Sequence, residues 1–198
     1  MTGPYEPAGN GQPLVCNTNN GGAIDPSSFL DTGNKRYILW KNDTNSIGSN
    51  GLNPTGQYTR IYIAPTNAAG TQLEGSGTEL LQNNPNTDGA IIEGPTMIKQ
   101  GSTYYLFFSS NYYSTPYYDL SYATSTSPYG PFTKSSSPLL VTGDYGLTAP
   151  GSCDIKRGSN GDLYMALAAW SPWASNAHPV RWLYTTVLNL DGNGGASV

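Results

Sequence analysis

A unit of short strand-like segments recurs three times along this sequence, and any fold for it must place like sheets side by side. The first unit opens with Ala23–Asp31, turns at Gly33 and Asn34, and continues through Arg36–Lys41, Tyr58–Ala64 and Glu79–Gln82. The second runs through Ala90–Lys99, Tyr104–Ser109, Asp119–Thr124 and Pro138–Val141, and the third through Gly151–Arg157, Leu163–Ala168 and Arg181–Asn189. Their turn glycines, Gly33, Gly101 and Gly158, fall 68 and 57 residues apart. No segment of helical length carries an amphipathic pattern with caps. The expected fold is therefore all-β, a β-propeller of four-stranded blades, because a β-sandwich fits the strand count but leaves the repeat unexplained. The Gly-His and Trp-Asp pairs of the forty-residue protein-interaction propellers are absent.

The three units divide the chain into blades at 21–88, 89–145 and 146–198, within a single domain of 198 residues. The opening residues add a remnant. Thr2–Pro7 (TGPYEP) followed by Gln12–Cys16 (QPLVC) reads like Tyr129–Lys134 (YGPFTK) followed by Ser137–Val141 (SPLLV), which closes the second unit. Residues 1–20 are thus expected to end a preceding blade, and the chain to be the C-terminal part of a longer one.

Charge and cysteine usage narrow the partners. Only 11% of residues are charged, against about a quarter in ordinary domains. Net charge is −4 and the nine basic residues are scattered, which argues against a nucleic-acid partner. No apolar run is long enough to cross a bilayer as a helix, and the first twenty residues lack the layout of a signal peptide. Cys16 and Cys153 are expected as two buried free thiols, and Asn42-Asp43-Thr44 is an acceptor sequon compatible with secretion.

Chemistry concentrates at the heads of the first strands. In Ile92–Lys99 (IEGPTMIK) a glutamate precedes a Gly-Pro bend at the mouth of an apolar run. With Gly33 set under Gly101, Asp25 falls under Glu93, and the third unit places Pro150 in the same slot. The first strand of a propeller blade is innermost, so both acids are expected at the central axis. Two carboxylates meeting there would couple, and one that stays protonated can give its proton to a leaving oxygen, as glycosidic cleavage requires.

These residues resemble the five-bladed propeller glycoside hydrolases of family 43, which include arabinofuranosidases, β-xylosidases and endo-arabinanases. The resemblance is carried by Gly22–Phe29 (GAIDPSSF), Ile92–Ile98 (IEGPTMI), Tyr104–Asn111 (YYLFFSSN), Leu120–Phe132 (LSYATSTSPYGPF) and Gly146–Gly151 (GLTAPG), in that order. It implies a partial five-bladed propeller and an inverting, three-acid mechanism. Glu93 matches the general acid, and Asp25 the aspartate that raises the acid's pKa and orients it. The third acid, the general base, belongs to the first blade of such enzymes, and no part of this chain matches that blade. The chain alone is accordingly expected to be inactive, with the longer protein acting outside the cell on arabinose- or xylose-containing plant polysaccharides.

The resemblance also points to Arg181, at a place where the family often has an arginine; it is read either as reaching a sugar hydroxyl or as a surface strand residue. Trp170 and Trp173 flank a loop and can offer a stacking face to a pentose ring, with core or rim packing as the other reading for both. Many relatives place a histidine in the last blade near a central ion, but Ala149–Asp154 has none and His178 lies in a loop, so neither a metal nor a cofactor is expected. The Tyr112-Tyr113 and Tyr117-Tyr118 pairs read as ordinary strand and loop aromatics. The competing reading is a non-catalytic carbohydrate-binding propeller, in which the acids only hydrogen-bond hydroxyls. A third is a protein-interaction propeller.

Overall fold

The computed structural model describes residues 11–47, 58–171 and 180–198, whose strands form three four-stranded antiparallel sheets. The first contains β1 (Ala23–Leu30), β2 (Arg36–Asn42), β3 (Arg60–Thr66) and β4 (Thr78–Gln82), hydrogen-bonded in chain order. The second contains β5 (Ile92–Gln100), β6 (Thr103–Ser110), β7 (Asp119–Ser125) and β8 (Thr133–Lys134). The third contains β9 (Thr148–Arg157), β10 (Leu163–Trp170), β11 (Arg181–Leu190) and β12 (Ala196–Ser197). The first strands of the sheets lie next to one another, β1 against β5 and β5 against β9, so three consecutive propeller blades meet along their inner strands. Of residues 1–20, expected to end a preceding blade, 11–20 contain no strand and 1–10 lie outside the described residues.

Two cores hold the sheets together, and the sequence of β6 explains both. Its run of aromatic and aliphatic residues is buried on both faces, the pattern of a strand between two layers. Tyr104, Leu106 and Phe108 join Phe29, Leu39, Ile61 and Ile63 of the first sheet. Tyr105 and Phe107 join Ile155, Met165 and Leu167 of the third. Each such side chain contributes roughly 1.5–3 kcal/mol on burial, so the middle sheet is the keystone of the packing. By contrast β10 alternates, with Leu163, Met165, Leu167 and Ala169 buried and Tyr164 exposed on the other face.

The ladders correct the alignment drawn from turn glycines. Each inner strand carries a bulge, between Ile24 and Ser27 in β1, between Glu93 and Thr96 in β5, and between Gly151 and Asp154 in β9. Inside each bulge one residue takes a left-handed conformation: Asp25 at φ 54°, Gly94 at 59° and Ser152 at 55°. Counted from the bulge, Asp25 is therefore equivalent to Gly94 and Ser152, whereas Glu93 is equivalent to Ile24 and Gly151, not to Asp25 and Pro150. The cause is hairpin length. The β1–β2 connection takes residues 31–35 and the β5–β6 connection only 101–102, so their glycines do not mark equivalent positions.

Two smaller expectations change as well. Asn42 of the sequon is buried; its side-chain amide donates to the Tyr58 carbonyl and its oxygen accepts from the Arg60 amide, so the side chain is structural. Both cysteines are free, but Cys16 is exposed and only Cys153 is buried.

Candidate active site

The bulges are what aim the acids. Asp25 sits within the β1 bulge, and its Oδ2 accepts the Gly94 amide proton at 2.9 Å, tying the first blade to the bulge of the second. Glu93 is the residue just before that bulge. Its Oε1 accepts from the Tyr118 hydroxyl at 2.7 Å, and its Oε2 lies 3.6 Å from the Lys41 ammonium. Asp25 and Glu93 thus come together from neighbouring inner strands, and both line an open cleft of about 420 Å³ along the axis. Ser28, Ser152, Asp154 and Lys156 also line it.

The surroundings of Glu93 are built with little freedom. Tyr118 is fully buried, and burial followed by the charge of Glu93 pushes its phenol far above the ordinary tyrosine value, so it remains a donor. With that proton directed to Glu93, the Ser152 hydroxyl 3.1 Å away donates to the tyrosine oxygen. Ser109 Oγ accepts from the Ser152 amide at 2.8 Å, linking β6 to β9 under the ring. Gly151 is required here, because a Cβ on it would lie 2.3 Å from Tyr118 Cε1 and 2.7 Å from Ser109 Oγ. Half-buried Tyr112 also feels the site: burial, then the Glu93 charge, raise its phenol.

Of the expected sugar-binding residues, neither Arg181 nor Trp170 lines the cleft shared by the acids. The Arg181 terminal nitrogens donate to the carbonyls of Ala149 at 3.1 Å and Ala168 at 2.8 Å. Its guanidinium lies 5.4 Å from the centroids of both Tyr118 and Trp170, and burial holds its pKa below the ordinary arginine value. The Trp170 indole NH donates to the Tyr113 carbonyl and the rings of Tyr113 and Trp170 stack at 6.2 Å. Together they form a packed wall behind Tyr118. Trp173 and His178 lie outside the described residues. Among the described residues no three His, Cys, Asp or Glu side chains converge as a metal site would require.

Sequence reasoning misses Lys41 and Tyr118. A signal existed for the first, since a lysine closing the apolar run Tyr37–Trp40 within a strand calls for a buried partner. None existed for the second, which is one tyrosine among fifteen.

Comparison with known proteins agrees with this fold. The family model for glycosyl hydrolases family 43 matches residues 1–188. A β-D-galactofuranosidase of Aspergillus niger is 27% identical over 164 residues, which is 82% of this chain and 42% of that protein. A thermostable family-43 glycoside hydrolase of known structure is 26% identical, with a TM-score of 0.73 over 88% of this chain and 57% of the other. An endo-1,4-β-xylanase from Bacteroides thetaiotaomicron shares the fold at 24% identity, TM-score 0.74, over 94% of this chain and 60% of its own. The chain therefore spans less than half the length of the curated relative and about three-fifths of these structures. With the matching model running over nearly its whole length, the chain belongs to glycosyl hydrolase family 43.

Proposed function

We propose that this chain carries the general-acid half of an inverting glycosidase acting on arabinose- or xylose-containing plant polysaccharides outside the cell. The observation that carries the reading is the convergence of Asp25 and Glu93 from adjacent inner strands on one open cleft. Glu93 gives its proton to the departing glycosidic oxygen as the bond between that oxygen and the anomeric carbon breaks, the bonding electrons going to the oxygen. A water molecule, deprotonated by a general base, adds to the opposite face of the sugar. Asp25 holds the Gly94 amide and with it the backbone that presents Glu93.

The base belongs, in this reading, to a part of the polypeptide outside these 198 residues, and the chain alone does not turn over substrate. The relatives support this class: one is named as a galactofuranosidase and another as a xylanase. The test is Glu93→Gln in the complete polypeptide, with an expected loss of at least about 10²–10⁴-fold in hydrolysis of pentosides. Retained activity in that variant would instead favour a carbohydrate-binding role for the acids. Hydrolysis of an aryl arabinofuranoside or xyloside by the 198-residue chain alone would overturn the inactivity.

A further inference from the structure

Lys41 is fully buried at the end of β2, beside the site but away from the cleft. A buried ammonium is costly unless each of its three protons finds an acceptor. Asn45 Oδ1 lies 2.8 Å from Nζ, Asp43 Oδ1 3.5 Å and Glu93 Oε2 3.6 Å. Two of these partners come from the residues that follow β2 and anchor the cation locally. The third belongs to another blade, and it is the proposed acid. Tyr118 completes the pattern from the second blade by donating to the other oxygen of the same carboxyl group.

We propose that Lys41 and Tyr118 are positioning residues for Glu93, a two-pronged cradle that fixes the carboxyl group and receives its negative charge as the proton leaves. The inference rests on Glu93 being the acid. Each carboxyl oxygen has a second lone-pair site, so the cradle holds one side of the group and leaves the other to carry the proton toward substrate. Negative charge builds on Glu93 only as the O–H bond breaks, so donors fixed beforehand favour that moment over the protonated ground state. Lys41 also ties the geometry of the first blade to an acid on the second, which makes the blade interface part of the catalytic device.

The test uses leaving groups in the complete polypeptide, because a departing sugar alkoxide needs a proton and a 2,4-dinitrophenolate does not. Glu93→Gln should lose activity on oligosaccharides while keeping it on the dinitrophenyl glycoside; failure of that contrast removes Glu93 as the acid, and this inference with it. With the contrast present, Lys41→Met is expected to lose up to about 10²-fold on oligosaccharides, the scale of a misplaced catalytic group, and little on the dinitrophenyl glycoside. Equal losses on both substrates, or none on either, would overturn the positioning role while leaving the acid assignment intact. If Lys41→Met does not fold, Tyr118→Phe, which removes only a hydroxyl, decides by the same contrast.

Discussion

Replacing Gly151 by alanine tests whether the site is as tightly built as its distances state. Gly151 has no positive φ, so the substitution is resisted by space alone. The added Cβ would lie 2.3 Å from Tyr118 Cε1 and 2.7 Å from Ser109 Oγ, both closer than real contacts allow. Tyr118 is fully buried and its ring cannot swing into solvent, so the ring or the β9 backbone must shift. Overpacking of this kind costs about 1–3 kcal/mol. Driving Tyr118 away from Glu93 also sacrifices their hydrogen bond, worth roughly 0.5–1.5 kcal/mol. The combined expectation is a loss of about 3 kcal/mol, which at a urea slope of about 2 kcal/mol per molar lowers the unfolding midpoint by about 1.5 M. A double-mutant cycle with Tyr118→Ala identifies the clash, because the paired variant should lose less than the sum of the singles. A midpoint unchanged by Gly151→Ala, or strictly additive singles, would refute the packing.

Two further outcomes follow from groups around the site. Burial, with a smaller contribution from the charge of Asp88, pushes the Asp119 carboxyl up to about 6. Its folded value then exceeds the unfolded one, so the folded state holds the extra proton, and stability rises as pH falls from about 6 toward 4, by up to about 3 kcal/mol. Urea titrations across that window should show this slope in the wild type and not in Asp119→Asn, and equal slopes would refute it. Arg181→Met leaves the carbonyls of Ala149 and Ala168 without their side-chain donors and should destabilise by roughly 1.5–3 kcal/mol in thermal unfolding, whereas an unchanged midpoint would show that the packed wall is incidental.

What could be read in the sequence was what depends on neighbours along the chain. The segment Tyr104–Ser109 was legible as a strand, though not as one covered on both faces, and it became the centre of both cores. Glu93 and Asp25 were legible because each stands just before a proline-containing bend at the head of a strand. Lys41 and Tyr118 were not, since strand periodicity states which face a side chain takes but not which distant residue it meets there. Tyr118 lies 25 positions from Glu93 and reaches it only because the blade folds back on itself.

The one-residue slip in the repeat alignment changes what Asp25 does. Had the acids occupied identical slots, one carboxyl group would be expected to face the other directly. Instead Asp25 takes the left-handed position that Gly94 takes in the next blade, a conformation that aspartate tolerates better than most residues. From there its carboxylate is one residue further along than Glu93 and accepts the Gly94 amide. Asp25 therefore grips the backbone of the bulge that presents Glu93, while Lys41 and Tyr118 grip the side chain, so the direction of the Glu93 carboxyl group is set from two strands, β1 and β2, and the loop before β7. On this geometry Asp25→Glu, which keeps the charge but displaces the carboxylate by one methylene, should loosen the grip on the bulge and lower oligosaccharide hydrolysis by the complete polypeptide, and unchanged activity would refute it.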